Sequence, residues 1–205
     1  GGDGLAAREV LKYPTIQKIV LVDLDGQMTH LFKTNPILVD LNQNSLSHPK
    51  VEILNQDAFV WIKNNHEMFD FVVVDFPDPS QFALGKLYSK TFYSYLANTI
   101  GSNGLIAVQS TSPYIAKKSF QIIVNTLNAV NLTTQPYHVY VPSFGEWGYV
   151  LAGKKITGNI TFSLPTGLQF VTSEMIPYLF QFSKDLLSNT TDVNRLNNQV
   201  LVRTF

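Results

Sequence analysis

The sequence predicts an α/β fold with a doubly wound, mostly parallel sheet that finishes in an antiparallel hairpin. Three observations predict it. Apolar runs of strand length (Ile19 to Leu24, Val51 to Leu54, Phe69 to Asp75, Gly104 to Gln109) alternate with stretches of helical pattern. One of them, Phe71-Val72-Val73-Val74, is a β-branched run of the kind found in strands covered on both faces. The last two runs, Thr133 to Val141 and Trp147 to Gly153, are joined through the short segment Pro142-Ser143-Phe144-Gly145, which suits a hairpin rather than a crossover.

The elements follow in order. Gly1-Gly2-Asp3-Gly4 is the kind of glycine turn that normally follows a buried strand, so at least one strand is expected upstream of this sequence. Leu5 to Tyr13 reads as a helix stopped by Pro14, and Ile19 to Leu24 as a strand that ends in acid at Asp23 and Asp25. A helix follows, with Asp25 as its cap, and then a polar segment from Asn35 to Pro49. Val51 to Leu54 is a short strand and Ala58 to Asn64 a helix. After the third strand comes a long loop, Phe76 to Lys86, with two prolines and a glycine. Thr91 to Ile100 and Ala116 to Val130 read as helices on either side of the strand at Gly104 to Gln109. This combination of parallel crossovers and a final antiparallel pair is the class I methyltransferase-like (Rossmann-type) variant of the fold. Residues 1–155 carry it, and residues 156–205 are expected to form an extension packed on the same domain. In that extension Ser173 to Leu187 reads as a helix and Gln199 to Arg203 as an extended segment.

Composition narrows the function. Hydrophobic residues make up 45% of the 205 and charged residues 15%, which is globular and rather apolar. Fifteen basic residues balance fifteen acidic ones, so no basic excess draws the chain to nucleic acid. The absence of cysteine excludes disulfides, thiolate metal sites and a cysteine nucleophile. His30, His48, His66 and His138 share no metal-ligand spacing, and no apolar run approaches the ~20 residues of a membrane helix. The sequons at Asn159 and Asn189 would matter only in a secreted protein.

The chemistry lies with acidic residues beyond the carboxyl ends of the strands, where open α/β sheets bind ligands. Gly2 and Gly4 let the backbone pass close to a ligand, and Asp3 between them offers a carboxylate to a cationic group. Asp23 comes twenty residues after Asp3, near the spacing at which an acid meets ribose hydroxyls, and Asp57 is placed to accept from an adenine amino group. Each of these alone is as readily a turn former or helix cap, but together they favour a nucleoside site. Asp75-Phe76-Pro77-Asp78-Pro79 sets two carboxylates three residues apart on a proline-stiffened turn. That pair suits a cationic substrate, or general-base work on an ammonium that must lose a proton before its nitrogen can attack. Ser110-Thr111-Ser112 has no evident His-Asp relay and reads as a turn beside the sheet. Most of Tyr137, Tyr140, Phe144, Trp147 and Tyr149 are expected in the core, with Phe144 and Trp147 as candidates to line a substrate channel.

Taken in order and spacing, Gly1-Gly2-Asp3-Gly4 with Arg8-Glu9-Val10, Asp23-Leu24-Asp25, Gln56-Asp57-Ala58 and Asp75-Phe76-Pro77-Asp78-Pro79 resemble the polyamine aminopropyltransferase (spermidine synthase) family. Leu87-Tyr88 with Phe92-Tyr93, and Gly104-Leu105 leading to Gln109, continue the likeness over residues 1–155. The segments Tyr137 to Gly148 and Val193 to Arg203 resemble the branch whose bacterial members carry an N-terminal membrane-spanning region.

The resemblance implies transfer of an aminopropyl group from decarboxylated S-adenosylmethionine to a diamine such as putrescine, giving spermidine and methylthioadenosine. It implies Asp75 as the catalytic base and Asp78 as the anchor of a diamine ammonium. Asp3 would meet the amine-bearing tail of the donor, Asp23 the ribose, and Asp57 with Ala58 the adenine. Gly2 and Gly4 would line the donor, and Gln109 would lie near the acceptor. No metal or other cofactor is implied beyond the donor co-substrate. A homodimer is implied, on the cytoplasmic side of a bacterial inner membrane and tethered through preceding residues. Three departures stand out: two glycines where the family usually opens with three, Asp23 where soluble relatives carry Glu, and Phe144 where many carry Tyr. The alternatives are an S-adenosylmethionine-dependent methyltransferase and a non-catalytic domain that binds polyamines or nucleosides. Asp3 discriminates against the methyltransferase, because a carboxylate there would repel a donor tail that itself ends in carboxylate.

Overall fold

Ile19–Asp23 (β1) and Val51–Asn55 (β2) pair in parallel, from Ile19 opposite Val51 to Asp23 opposite Asn55. The computed structural model to which they belong describes residues 1–156, 164–186 and 188–205. The chain divides into two compact units, Gly1–Asn64 with Pro165–Gly167 and Asn65–Leu164 with Leu168–Phe205. The sequon at Asn159 and Leu187, the end of the expected helix, lie outside the described residues.

In the first unit, Leu5–Val10 (α1) stops short of the expected Tyr13, with Pro14 just beyond. Gly26–Thr34 (α2) begins at Asp25, whose carboxylate accepts from the Gln27 and Met28 amides as a cap should. The polar segment that follows is not all loop. Pro36–Leu41 (α3) forms because Asn35 caps it, accepting from the Ile37 and Leu38 amides, and Pro36 sits at the first helical position, where its missing N–H costs nothing. A 3₁₀ turn covers Ser45–Ser47, and Ala58–Asn64 (α4) spans the residues its pattern predicts. Ala7, Leu21 and Leu46 form the buried core, with Phe32, Val51 and Ile53 packed on it.

The second unit holds a four-stranded sheet in the order β3-β4-β6-β5, made of Phe69–Val74 (β3), Ile100–Gln109 (β4), Thr133–Val141 (β5) and Gly145–Gly153 (β6). β3 and β4 are parallel and β4–β6 antiparallel; β6–β5 is antiparallel, as the short connection between the last two runs requires. Gly145, with φ of 77°, takes the left-handed conformation at the hairpin turn. Phe82–Gly85 (α5), Lys90–Asn98 (α6) and Lys117–Asn128 (α7) complete the middle of the chain. α7 buries Phe120, Ile123, Val124 and Leu127 at helical spacing, each worth roughly 1.5–3 kcal/mol in transfer free energy.

Three expectations are corrected here. β3 is not covered on both faces: Phe71 and Val73 are each 49% exposed, while Val74 is buried. The stretch from Ser173 is helical only at Ile176–Leu179 (α8), followed by a 3₁₀ turn at Lys184–Leu186. Its side chains serve other contacts, since Phe180 packs on Tyr137 and Phe182 on both Phe120 and His138. The tail is a helix rather than extended, Val200–Thr204 (α9), despite its β-branched residues. Tertiary structure overrides propensity there through Asn194, which is fully buried. Its side chain donates to the Gly85 carbonyl and accepts from the Leu201 amide, while its own amide donates to Thr126 Oγ1.

Candidate active site

The first unit builds a glycine turn against a strand-end carboxylate. The Gly2 amide donates to Asp23 Oδ2 at 2.6 Å, and the Asp25 amide donates to Asp23 Oδ1 at 2.8 Å. A Cβ on Gly2 would lie 2.9 Å from Thr29 Cγ2 and 3.0 Å from Asp23 Oδ2, so the close approach needs glycine. Gly4 has φ of 75°, and a side chain there would meet Leu46 and Ser45 at 2.7 Å. Ser45 Oγ donates to the Gly4 carbonyl at 2.7 Å, and Asn42 Nδ2 to the Asp3 carbonyl at 3.1 Å. Asp3 itself accepts from the Leu5 amide at 3.1 Å and is half-buried. Each carboxylate oxygen has two lone pairs, so Asp3 and Asp23 keep acceptor capacity beyond these bonds.

Asp57 follows β2 by two residues, at the same end of the parallel strand pair as Asp23. The Gln56 amide donates to the Asp23 carbonyl at 3.1 Å, which fixes one strand end beside the other. Asp57 Oδ1 accepts from the Phe59 amide at 2.7 Å, so the carboxylate also caps α4, with Ala58 as the first helical residue.

In the second unit Asp75 leaves the end of β3 exposed, and Asp78 is half-buried on the turn that follows. Gln109, the last residue of β4 and only 7% exposed, donates from Nε2 to Asp78 Oδ1 at 3.0 Å. Its Oε1 accepts from the Thr111 amide at 3.3 Å and lies 3.2 Å from the Tyr88 hydroxyl. Tyr88 is fully buried, and its hydroxyl is also 3.1 Å from the Phe76 carbonyl and 3.2 Å from that of Pro77. Phe76 packs edge-on against Tyr88 and Phe92 at centroid distances of 6.4 and 5.6 Å.

Electrostatics reinforces this arrangement. Burial first, then the Asp78 and Asp75 carboxylates, push the Tyr88 phenol well above its ordinary range, so it stays a protonated donor. Tyr149 on β6 is raised by burial and then by Asp75. Tyr137 stacks on Tyr149 at 5.3 Å and is pushed up to about 12 by burial and then by Tyr149.

The structure thus brings Gly2, Gly4, Asp3 and Asp23 around one turn of the first unit, with Asp57 at the adjacent strand end. In the second unit it joins Asp78 to Gln109. Ser110-Thr111-Ser112 is irregular backbone beside the sheet rather than the expected turn, which falls at residues 113–115, and Thr111 has a φ of 61°. The aromatics of the hairpin are less buried than expected, since Tyr140 is 58% and Phe144 62% exposed, and Phe144 packs on Trp147 at 5.2 Å. Sequence reasoning gave Tyr88 no role. Its only signal was its place in the Leu87-Tyr88 motif after the Asp75 turn.

Residues 1–163 match the family model described as the spermine/spermidine synthase domain. The chain is 45% identical over 209 residues to polyamine aminopropyltransferase 2 of Ralstonia nicotianae, covering 100% of this chain and 40% of that protein. It is 43% identical over 207 residues to the polyamine aminopropyltransferase of Leptospira interrogans, covering 100% of this chain and 41% of that protein. The chain therefore spans about two fifths of the length of these curated relatives. A spermidine synthase crystallised with the transition-state analogue AdoDATO shares the fold, with a TM-score of 0.78 and 21% identity over 91% of this chain and 65% of that one. The spermidine synthase of Thermotoga maritima superposes with a TM-score of 0.77 and 20% identity, over 91% of this chain and 64% of that one.

Proposed function

Because this chain belongs to the spermine/spermidine synthase domain family, we propose that the protein transfers an aminopropyl group from decarboxylated S-adenosylmethionine to a diamine such as putrescine. The products are spermidine and methylthioadenosine. The observation that carries this reading is the turn Asp75 to Pro79, which puts an exposed carboxylate three residues from one already oriented by Gln109.

In this proposal Asp78, held at Oδ1 by Gln109, anchors an ammonium of the diamine through its remaining lone pairs. Asp75 takes the proton from the attacking amine. The amine nitrogen then forms a bond to the aminopropyl carbon next to the sulfonium, and the carbon–sulfur bond breaks with its electron pair going to sulfur. Loss of the sulfonium charge makes methylthioadenosine a good leaving group, so positioning and one base are the protein's contributions. Asp3 takes the amine of the donor tail, Asp23 the ribose hydroxyls, and Asp57 with Ala58 the adenine, while Gly2 and Gly4 give the donor a close approach to the backbone. A homodimer, a membrane tether and the division between residues 1–155 and 156–205 belong to the same proposal and rest on the resemblance. Among the described residues no helix is long and apolar enough to cross a membrane.

The test is Asp75→Asn in the full-length protein, with methylthioadenosine formation and calorimetric binding of the nucleoside measured together. Turnover is expected to vanish while nucleoside binding persists. Near-normal turnover would remove Asp75 from the base role.

A further inference from the structure

We infer that Tyr88 is a positioning residue for the acceptor site, holding the Asp75 to Pro79 turn in place and acting on Asp78 through Gln109. This rests on the aminopropyl-transfer reading and goes beyond it, since neither the motif spacing nor the proposed chemistry requires a hydroxyl at position 88.

A phenol has one hydrogen to donate, yet three acceptors converge on the Tyr88 oxygen: the Phe76 and Pro77 carbonyls and Gln109 Oε1, all within 3.2 Å. The two carbonyls belong to the residues between Asp75 and Asp78. The hydroxyl shares its single proton among these acceptors, which ties the link between the two carboxylates to the end of β4 rather than holding either carboxylate directly. It is fully buried and remains protonated, so among these contacts it is the donor.

The Gln109 amide cannot be turned around in this setting. Reversed, its NH₂ would face the Thr111 amide, donor against donor, and its oxygen would face the Asp78 carboxylate. Both neighbours fix Oε1 toward Thr111 and Tyr88 and Nε2 toward Asp78. The relay from Tyr88 to Gln109 to Asp78 thus has one hydrogen-bond polarity, and it leaves Asp78 Oδ2 as the oxygen not engaged by Gln109. Positioning of this kind matters because a misplacement of about 1 Å can cost on the order of 100-fold in rate.

Tyr93 supplies an internal control. Like Tyr88 it is fully buried in the same unit, but its hydroxyl has no hydrogen-bond partner and is not aimed at the turn's carbonyls. A general need for buried phenols would make the two residues equivalent.

The experiment compares Tyr88→Phe, Tyr93→Phe, Asp78→Asn and the Tyr88→Phe/Asp78→Asn double variant in the full-length protein. Each is assayed for kcat and KM toward the diamine and for methylthioadenosine binding. Tyr88→Phe is expected to lower kcat/KM for the diamine roughly 10- to 100-fold while nucleoside affinity stays within about two-fold. Tyr93→Phe is expected to match the wild type. The double variant is expected to lose less than the sum of the two single losses, because part of what Tyr88 does passes through the carboxylate already removed. Unchanged diamine kinetics in Tyr88→Phe, or fully additive losses in the double variant, would overturn the inference. Should Tyr88→Phe fail to fold, Gln109→Met removes the middle of the relay, and a wild-type diamine kcat/KM in that variant refutes it equally. A wild-type protein with no aminopropyl transfer would instead refute the function proposed above, whatever the variants do.

Discussion

Gly148→Ala tests how tightly the sheet is packed behind the candidate acceptor site. Gly148 is buried on β6, where its amide donates to the Thr111 carbonyl at 2.7 Å and its carbonyl accepts from the Ser110 amide at 2.9 Å. An added Cβ would lie 2.5 Å from Phe120 Cε2, 2.8 Å from Phe120 Cδ2 and 2.7 Å from the Thr111 carbonyl oxygen. The last contact is with backbone and cannot be relieved by a rotamer change. The Phe120 ring is only 5% exposed and rests against Phe182 at 5.9 Å, so it has little room to swing away. Overpacking a full core costs about 1–3 kcal/mol, and a clash on both sides argues for the upper end. For a chain of this size about 3 kcal/mol corresponds to a fall in Tm of roughly 6–12 °C. Thr111 must also shift, and its amide holds Gln109, so the KM for the diamine should rise alongside the loss of stability. Differential scanning calorimetry of wild type and variant measures the first effect and steady-state kinetics the second. A Tm within about 2 °C of wild type would show that this region has slack that the geometry denies.

Two further predictions concern stability alone. Asp25→Ala removes the acceptor for the Gln27 and Met28 amides at the start of α2 and should cost about 1 kcal/mol, read from urea titration; a change below about 0.3 kcal/mol would mean water replaces the cap fully. Alkaline unfolding should draw on Tyr137 together with the other phenols raised by burial, Tyr88, Tyr93 and Tyr149; the folded-state pKa of Tyr137, about 12, lies above its unfolded value near ~10. The fold favours the protonated phenol, so its contribution, on the order of 3 kcal/mol, is complete below pH ~10 and is lost as pH rises toward ~12. Tyr137→Phe should move the alkaline midpoint upward, and an unmoved midpoint would refute the assignment.

The strands and most helices were legible because their signals are local. Ile19 to Leu24 and Val51 to Leu54 are apolar runs between polar turns, and Asp25 announces a helix by its chemistry. The hairpin followed from its short connection. What escaped were elements set by distant partners. The α9 backbone owes its shape to Asn194, whose side chain reaches the Gly85 carbonyl, a residue far away in sequence. α3 escaped for a nearer reason, since its Asn-Pro start reads as a turn until the Asn35 cap is seen. The acidic candidates could be found because they recur at strand ends, and Gln109 through the family likeness. Tyr88 could not, because a buried tyrosine in an aromatic stretch reads as core, and only the folded chain brings two carbonyls of one turn to its hydroxyl.

The bond between the Gly2 amide and Asp23 has a consequence for how such a site can change over generations. At 2.6 Å the side chain at position 23 is already as close as the turn allows. A Glu at this position, one methylene longer, would have to fold back through a different rotamer, or the turn would have to move, to make the same bond. Exchange of one acid for the other therefore involves the rotamer at position 23 and the turn together. The glycine turn and the strand-end acid form one bonded unit, and a graft that moves one without the other would leave the Gly2 amide without its carboxylate.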